Sequence, residues 1–523
     1  MSSRFQRSIG ALIAGATTLS SASAGQEVGG SPSDMAQQIA ELQAANAALA
    51  EKVGRLERSA NGDAWLTEER AADIRAIVTD VLADADTRDT LQSSGLSAGW
   101  SKDQGGFFLA SPSGDFKLNV KGQIQFRWAM NHRDNTEVNA PSSVFKENAW
   151  GFENRRSKLS FTGFVVDPSW TYEMQFVMNR TPGTISSGAQ TFSSGNIVGS
   201  VENLWIQKDF GNGIALRAGQ FKTPFLREEL VSSTAQLAVE RSLVNDVFST
   251  KFSQGLQLEF GGRSDDQWRG QLFYGDGFRA NASSVPGSST SAAGGYAGGY
   301  TTSFNANATN WSLAGRVEYL GAGKWRAMRD FNSAPGDDLS WMIGLGAMGQ
   351  SLRPTSDGLL APPTTDSMWG VTADFTLNLG GASLFAYGVY RDVQLAGDVA
   401  TRGGGTSDSL GQWGAVVQGG VFVSSELQLF ARYEVGDTDT DQFRVSEPGV
   451  DLGSNSIMTL GLNYFFGGKK DVKFTSDVGY AFTPIGDFAS SGADWLQDGS
   501  NTTGDGMTND GQWVLRAQLQ LLF

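Results

Sequence analysis

Beginning at Phe116, side chains alternate between an apolar and a polar face. Phe116, Leu118, Val120, Ile124, Phe126 and Trp128 interleave with Lys117, Asn119, Lys121, Gln123, Gln125 and Arg127. A strict period of two is the signature of a strand with one apolar and one polar side. A run this long reaches across a bilayer, and in a membrane barrel the apolar side faces lipid and the polar side a water-filled interior. Fifteen further segments read the same way, so the strands are expected at 116–129, 150–165, 168–179, 200–210, 213–221, 252–261, 267–275, 309–320, 339–351, 366–379, 381–391, 409–421, 425–435, 454–467, 471–482 and 511–523. The last places Trp513, Leu515, Ala517, Leu519, Leu521 and Phe523 on one face. Long connectors (130–149, 180–199, 222–251, 276–308, 352–365, 392–408, 436–453 and 483–510) alternate with tight ones, the exception being 321–338. Alternating long loops and short turns predict an all-β transmembrane barrel of sixteen antiparallel strands, residues 111–523, with both ends on the periplasmic side. Tyr464, Phe466, Tyr480 and Phe482, near strand ends, suit an aromatic girdle.

Composition excludes much else. Among 523 residues there is no Cys and one His, His132, so disulfides, thiolate metal sites and cysteine nucleophiles are out and histidine-rich metal centres nearly so. No Ser spacing around His132 supports a hydrolase, and the reading is not an enzyme and needs no cofactor. Lys and Arg number 40 against 55 Asp and Glu, a net charge of −15, which argues against nucleic acid as partner. Gly is high, at 66 residues, with 14 Trp and only 13 Pro, as suits a large β structure.

Ahead of the barrel the pattern differs. Residues 1–24 read as a secretory signal, with Arg4 and Arg7, an apolar stretch from Ile9 to Leu19, and Ala22-Ser23-Ala24 as cleavage site. Residues 25–110 read as a periplasmic helical region carrying 14 acidic and 7 basic residues. Within it, Met35, Ile39, Leu42, Asn46, Leu49, Val53 and Leu56 form a heptad seam over 34–58. Such a seam reads as a coiled coil whose polar Asn46 fixes register, or as one amphipathic helix packed on its own chain. A second helix is expected around Ile74, Ile77, Val78, Val81 and Leu82.

Ala218-Gly219-Gln220-Phe221-Lys222-Thr223-Pro224-Phe225, followed by Glu228-Glu229 and Glu240-Arg241-Ser242, resembles the phosphate-selective porins of the O/P type. In that family this segment leads into a loop that folds back and narrows the pore. The resemblance covers most of 105–523 and implies a sixteen-stranded homotrimer in the bacterial outer membrane, passing small anions such as phosphate. Only Lys222 can be matched by residue to the family's anion path.

Charge on the inward face supports a mild anion preference. Ten basic residues (Lys117, Lys121, Arg127, Arg156, Lys158, Arg217, Arg316, Arg432, Lys473 and Arg516) fall there against Glu173, Glu259, Glu318, Glu434 and Asp477. Lys222, Arg227 and Arg241 enter the third long loop, opposed by Glu228, Glu229, Glu240 and Asp246. All of these cations except Arg156 and Lys473 are the pore-lining or constriction candidates. A pore selects by the charge at its narrow part rather than by its net charge. Pairs such as Arg316–Glu318 and Arg432–Glu434 have a second reading, as wall salt bridges. Asp437-x-Asp439-x-Asp441 opens like a calcium loop but has Gln442 where glycine belongs and Pro448 where glutamate belongs. The Gly-rich run 294–299 lacks a strand-to-helix setting and reads as an outer loop. The expectation is a porin for passive diffusion of small solutes. The alternatives are a carboxylate- or sugar-specific channel, or an envelope protein whose coiled coil ties the outer membrane to the cell wall.

Overall fold

Strands with one apolar and one polar face satisfy their backbone groups only by pairing, and a sheet closed on itself leaves no edge in lipid. The computed structural model describes residues 43–44, 46–53, 96–101, 106–132, 148–178, 200–263, 265–282, 294–296, 309–352, 365–445, 451–486, 494–496 and 511–523. The chain divides into two units, residues 1–91 and 92–523. In the first, residues 43–44 and 46–53 are helical, with the seam positions Leu49 and Val53 exposed. The signal segment, the rest of the heptad and the second helix lie outside the described residues.

The described residues of the second unit form twenty strands: β1 Ser97–Ser101, β2 Gly106–Ala110, β3 Phe116–His132, β4 Asn148–Val165, β5 Trp170–Val177, β6 Ser200–Gly211, β7 Ile214–Lys222, β8 Phe252–Gly261, β9 Trp268–Gly275, β10 Arg279–Ala282, β11 Gly294–Tyr296, β12 Thr309–Ala322, β13 Ser340–Leu352, β14 Thr365–Asn378, β15 Ala382–Ala400, β16 Thr406–Phe422, β17 Leu427–Asp437, β18 Ser454–Phe465, β19 Val472–Ala481 and β20 Trp513–Leu522. Each of β3 to β9 and β12 to β20 pairs antiparallel with the next, β9 passing to β12 while β10 and β11 pair with each other. β20 then returns to β3, from Trp513 opposite His132 to Leu522 opposite Gln123. The barrel is closed with sixteen strands, as the alternation requires. Its outward positions, Ile124, Phe126, Leu256, Leu258, Leu345, Val371 and Leu460 among them, are exposed apolar side chains. No helix among the described residues is long and apolar enough to cross a membrane. Tyr464 packs on Phe466 and Tyr480 on Phe482, each pair 5.0 Å between ring centroids.

Three expectations shift. Residues 97–101 and 106–110, placed in the helical region by sequence, are the paired strands β1 and β2. Connector 392–408 is largely strand, because β15 runs to Ala400 and β16 starts at Thr406, with Val399 opposite Ser407. The long connector 321–338 does not hang free: it carries a 3-10 turn at Ala327–Arg329, and its Phe331 amide donates to the Ala235 carbonyl at 3.2 Å. Trp325, Met328 and Phe331 are buried there.

β2 and β20 share one side of β3, end to end. β20 covers β3 from Gln123 to His132, Phe523 exchanges backbone hydrogen bonds with Gly122, and β2 covers Lys117 to Val120. The Phe523 ring lies where a Cβ at residue 122 would be, so a larger residue there would push the ring aside. Removing residues 25–95 should leave a barrel that stays folded in unheated gel samples. Extending the deletion through Ala110 strips β3 of its partner beyond Phe523, and the heat-resistant band should weaken or vanish. Equal behaviour of the two deletions would show that the hairpin contributes nothing to closure.

Candidate functional site

The loop between β7 and β8, residues 223–251, turns inward, its apolar side chains buried. Its helices α1 (Arg227–Leu230) and α2 (Leu243–Phe248) are short, and the Ser242 side chain caps α2 by accepting from the Asn245 amide at 2.9 Å. Phe225, Leu226, Leu237, Val244, Val247 and Phe248 are nearly fully buried and pack with Met348, Phe385, Val389, Val416 and Phe430 of the wall. Strand β15 explains the fit. Four of its inward positions, Phe385, Tyr387, Val389 and Val393, are apolar or aromatic where an open pore wall would be polar, with Ser383 and Arg391 on the same face. Each such side chain buried contributes about 1.5–3 kcal/mol, so the loop is held inside the barrel by a core of its own.

Polar struts fix it further, strand by strand. The Phe225 carbonyl accepts from Arg316 of β12 at 3.0 Å, and Arg227 donates to Thr376 of β14 at 2.9 Å. Glu228 accepts from the Tyr387 hydroxyl at 2.9 Å and from Ser242. The Val247 carbonyl takes Arg391, and the Glu240 carbonyl takes Arg432 at 2.7 Å. Asn463, Lys473 and Asp477 hold the main chain at Leu237, Gln236 and Val239. On the far side Glu240 meets three guanidiniums: Arg127 at 2.5 Å, Arg155 at 2.7 Å and Arg156 at 2.6 Å. Burial would push the Glu240 carboxyl up, but Arg155, Arg156 and Arg127 hold it well below the usual carboxylate range.

These contacts sort the sequence candidates into two groups. Arg127, Arg227, Arg316, Arg432 and Arg516 were expected at the pore surface; all five are buried struts. Arg127 also meets Glu153 and, at 2.7 Å, Asp494. Arg227 donates to the Met328 carbonyl and lies near Glu318; Arg316 pairs with Glu318 at 2.8 Å and Asp374 at 2.7 Å. Arg432 sits 3.6 Å from Glu434, and Arg516 is 2.7 Å from Asp477. The wall-bridge alternative for Arg316–Glu318 and Arg432–Glu434 is therefore the arrangement seen. The reason is the loop itself: a polar inward face covered by a folded segment becomes an interior, where charges must pair.

The second group is less deeply buried. Lys158 pairs with Glu202, and Lys222 donates to the Glu229 carbonyl with its carboxylate at 3.4 Å. Arg241 takes the Glu228 and Val231 carbonyls and lies 3.8 Å from the Glu229 carboxylate. Lys251 reaches Asp246 at 2.7 Å and Glu229 at 3.6 Å. Lys222, Lys158 and Arg241 stand close enough to act on one another electrostatically. Their side chains keep 12–20% exposure, against 0–3% for the five struts. Arg217, from β7, stacks 4.4 Å over Trp205 and pairs with Glu259 at 2.9 Å. Lys121 is exposed and Lys117 half-buried, both towards the short-turn end of β3.

Two charges escaped the alternation because the alternation breaks. At a β-bulge in β4, Phe126 faces Asn154 while Gln125 faces Arg156, which leaves Arg155 extra; it bonds Glu240 from inside. In β6, Gln175 faces Asn203 and Phe176 faces Val201, leaving Glu202 extra and aimed at Lys158. Bulges re-aim side chains in this way. The adjacent pair Arg155-Arg156 inside an alternating strand is the signal that could have revealed the first. Elsewhere, Asp437, Asp439 and Asp441 accept backbone amides of Asp439, Gly411, Leu452 and Gly453, and no acidic or histidine cluster among the described residues is placed to hold a metal ion.

A family model described as phosphate-selective porin O and P matches residues 129–480. Among solved structures, the anion-selective porin from Comamonas acidovorans is 12% identical, with 78% of this chain and 99% of that one covered and a TM-score of 0.45. Salmonella typhi OmpF in complex with daunomycin is 13% identical over 78% and 99%, TM-score 0.44. The high-pH structure of Pseudomonas putida OprB is 11% identical over 78% and 94%, TM-score 0.45. No curated protein matches the chain.

Proposed function

The chain belongs to the phosphate-selective porin O and P family, and from that premise and the charge of its passage we propose that it admits small solutes by passive diffusion with a preference for anions, phosphate among them. One observation carries the preference. Lys158, Lys222 and Arg241 converge from β4, β7 and the folded loop and keep partial exposure, and Lys251 lies beside them. Glu229 is shared by Lys222, Arg241 and Lys251 at 3.4–3.8 Å, so no single cation is tightly neutralised by it. Burial would raise the Glu229 carboxyl, but Arg241, Lys222 and Lys251 hold it well below its ordinary range. It stays ionised, and the cationic surplus around it stays modest. A reversal potential in a KCl gradient should therefore show chloride favoured over potassium. Glu229→Gln, which removes one negative charge and keeps the shape, should strengthen that bias. A wild-type channel that prefers potassium sinks the proposal.

We also propose a homotrimer, with residues 25–95 on the periplasmic side behind a cleaved signal. The support is the exposed seam at Leu49 and Val53, which needs other copies or another surface to cover it. Cross-linking of the full chain in membranes counts the copies.

A further inference from the structure

At the short-turn rim the β1–β2 hairpin carries the outward face of the barrel past the end of β20. Residues directly opposite in an antiparallel pair share a face. Phe107 therefore stands beside Val120 and Leu109 beside Leu118, on the side that Ile124 and Phe126 continue. Across the hairpin Trp100 is opposite Phe107 and Ala98 opposite Leu109. The other face is different: Phe108 and Ala110 stand beside Asn119 and Lys117, and the Lys117 ammonium lies 5.6 Å from the Phe108 ring centroid.

Trp100 and Phe107 are more than half exposed, at 56% and 57%. Two observations say what covers them. First, the neighbouring rim is apolar and outward too: Val165, Val166 and Trp170 on one side, Phe523 on the other. Paired with β3, β2 puts Phe107 and Leu109 on the outward face of Val120 and Leu118, and Trp100 shares a cavity with Phe523, so the aromatic face continues the outward face of the barrel. Second, β1 pairs with β2 alone among the described residues, which leaves its outer edge with unpaired backbone groups. Hydrocarbon would not tolerate such an edge, but water and lipid headgroups satisfy it. A strand pair with aromatic rings on one face and a hydrogen-bonding edge fits the boundary layer, where amphipathic aromatics anchor membrane proteins.

We propose that this hairpin is a lipid-binding element, with Trp100, Phe107 and Leu109 seated among the glycerophospholipid headgroups and upper acyl chains of the leaflet on the short-turn side. The chain has no cysteine, so Trp100→Cys, Phe107→Cys and Phe108→Cys can each carry one environment-sensitive fluorophore. The full chain is reconstituted in phosphatidylcholine–phosphatidylglycerol vesicles. Labels at 100 and 107 should be quenched by a headgroup nitroxide lipid and shielded from aqueous iodide, and the label at 108 should show the reverse. Leu109→Cys gives the same reading if the Trp100 variant assembles poorly. Iodide quenching at 100 and 107 as strong as at 108 overturns the proposal. Shielding from iodide without quenching by the nitroxide lipid overturns it as well, because the face would then be covered by protein.

Discussion

Replacing Lys158, Lys222 and Arg241 together with glutamate should reverse the channel's preference from chloride to potassium. A charge about 6 Å from a passing ion is worth ~3 kcal/mol at an effective dielectric constant of ~20, before screening. The Debye length at physiological salt is ~8 Å, so charges at the narrow part dominate and those on the wide wall fade. Three sign changes at the narrow part should lower the chloride-to-potassium permeability ratio by at least an order of magnitude, about 1.4 kcal/mol per factor of ten. Changing Lys117 and Lys121, near the rim, should shift it far less. The glutamates would face Glu202 and Glu229, so a triple glutamine variant guards against misassembly; it should abolish the bias without reversing it. An unchanged reversal potential in an assembled glutamine variant would remove these residues from the selectivity argument. Arg227, which enters the same loop, should not behave this way, because it ties the loop to Thr376 and the Met328 carbonyl and does not face the passage.

Loss of the Glu240 carboxylate should release one side of the folded loop. Three guanidiniums converge on it, and with glutamine in its place Arg127, Arg155 and Arg156 repel one another inside the barrel. Breaking a buried ion pair typically costs about 3–5 kcal/mol. Single-channel recordings of Glu240→Gln should show larger and noisier openings than wild type, and the heat-resistant barrel should melt at lower temperature. Glu202→Gln is the control: it breaks a pair between two wall strands and leaves the loop pinned. If both variants conduct like wild type, the Glu240 carboxylate does not hold the loop, and the apolar core and the remaining struts do.

Backbone economy made the barrel legible. A lipid-spanning strand leaves its alternation in the sequence, and every segment from Phe116 onward obeyed it closely enough for sixteen strands to be placed. The site was harder to read for two physical reasons. Alternation says which side of the wall a residue is on, but not whether something covers it; Arg316 and Arg432 are inward and yet buried. The inward run Phe385, Tyr387 and Val389 in β15 was the available clue that part of the lumen is filled. Strands β1 and β2 escaped for a different reason: two five-residue strands carry too little periodicity to stand out from the helical pattern before them.

The bulges at Arg155 and Glu202 put part of the pore's charge under the control of chain length. Deleting residue 155 would let Asn154 and Arg156 follow one another in regular alternation, facing the same partners on β3, with the lipid-facing side chains untouched. The inside of the barrel would lose one of the three guanidiniums on Glu240, and the lipid-facing surface would not change. The reverse holds for a one-residue insertion elsewhere along these walls. In-frame single-codon gains and losses are thus a route by which such a channel can retune its permeant ions without the many compensating substitutions that a register shift would demand.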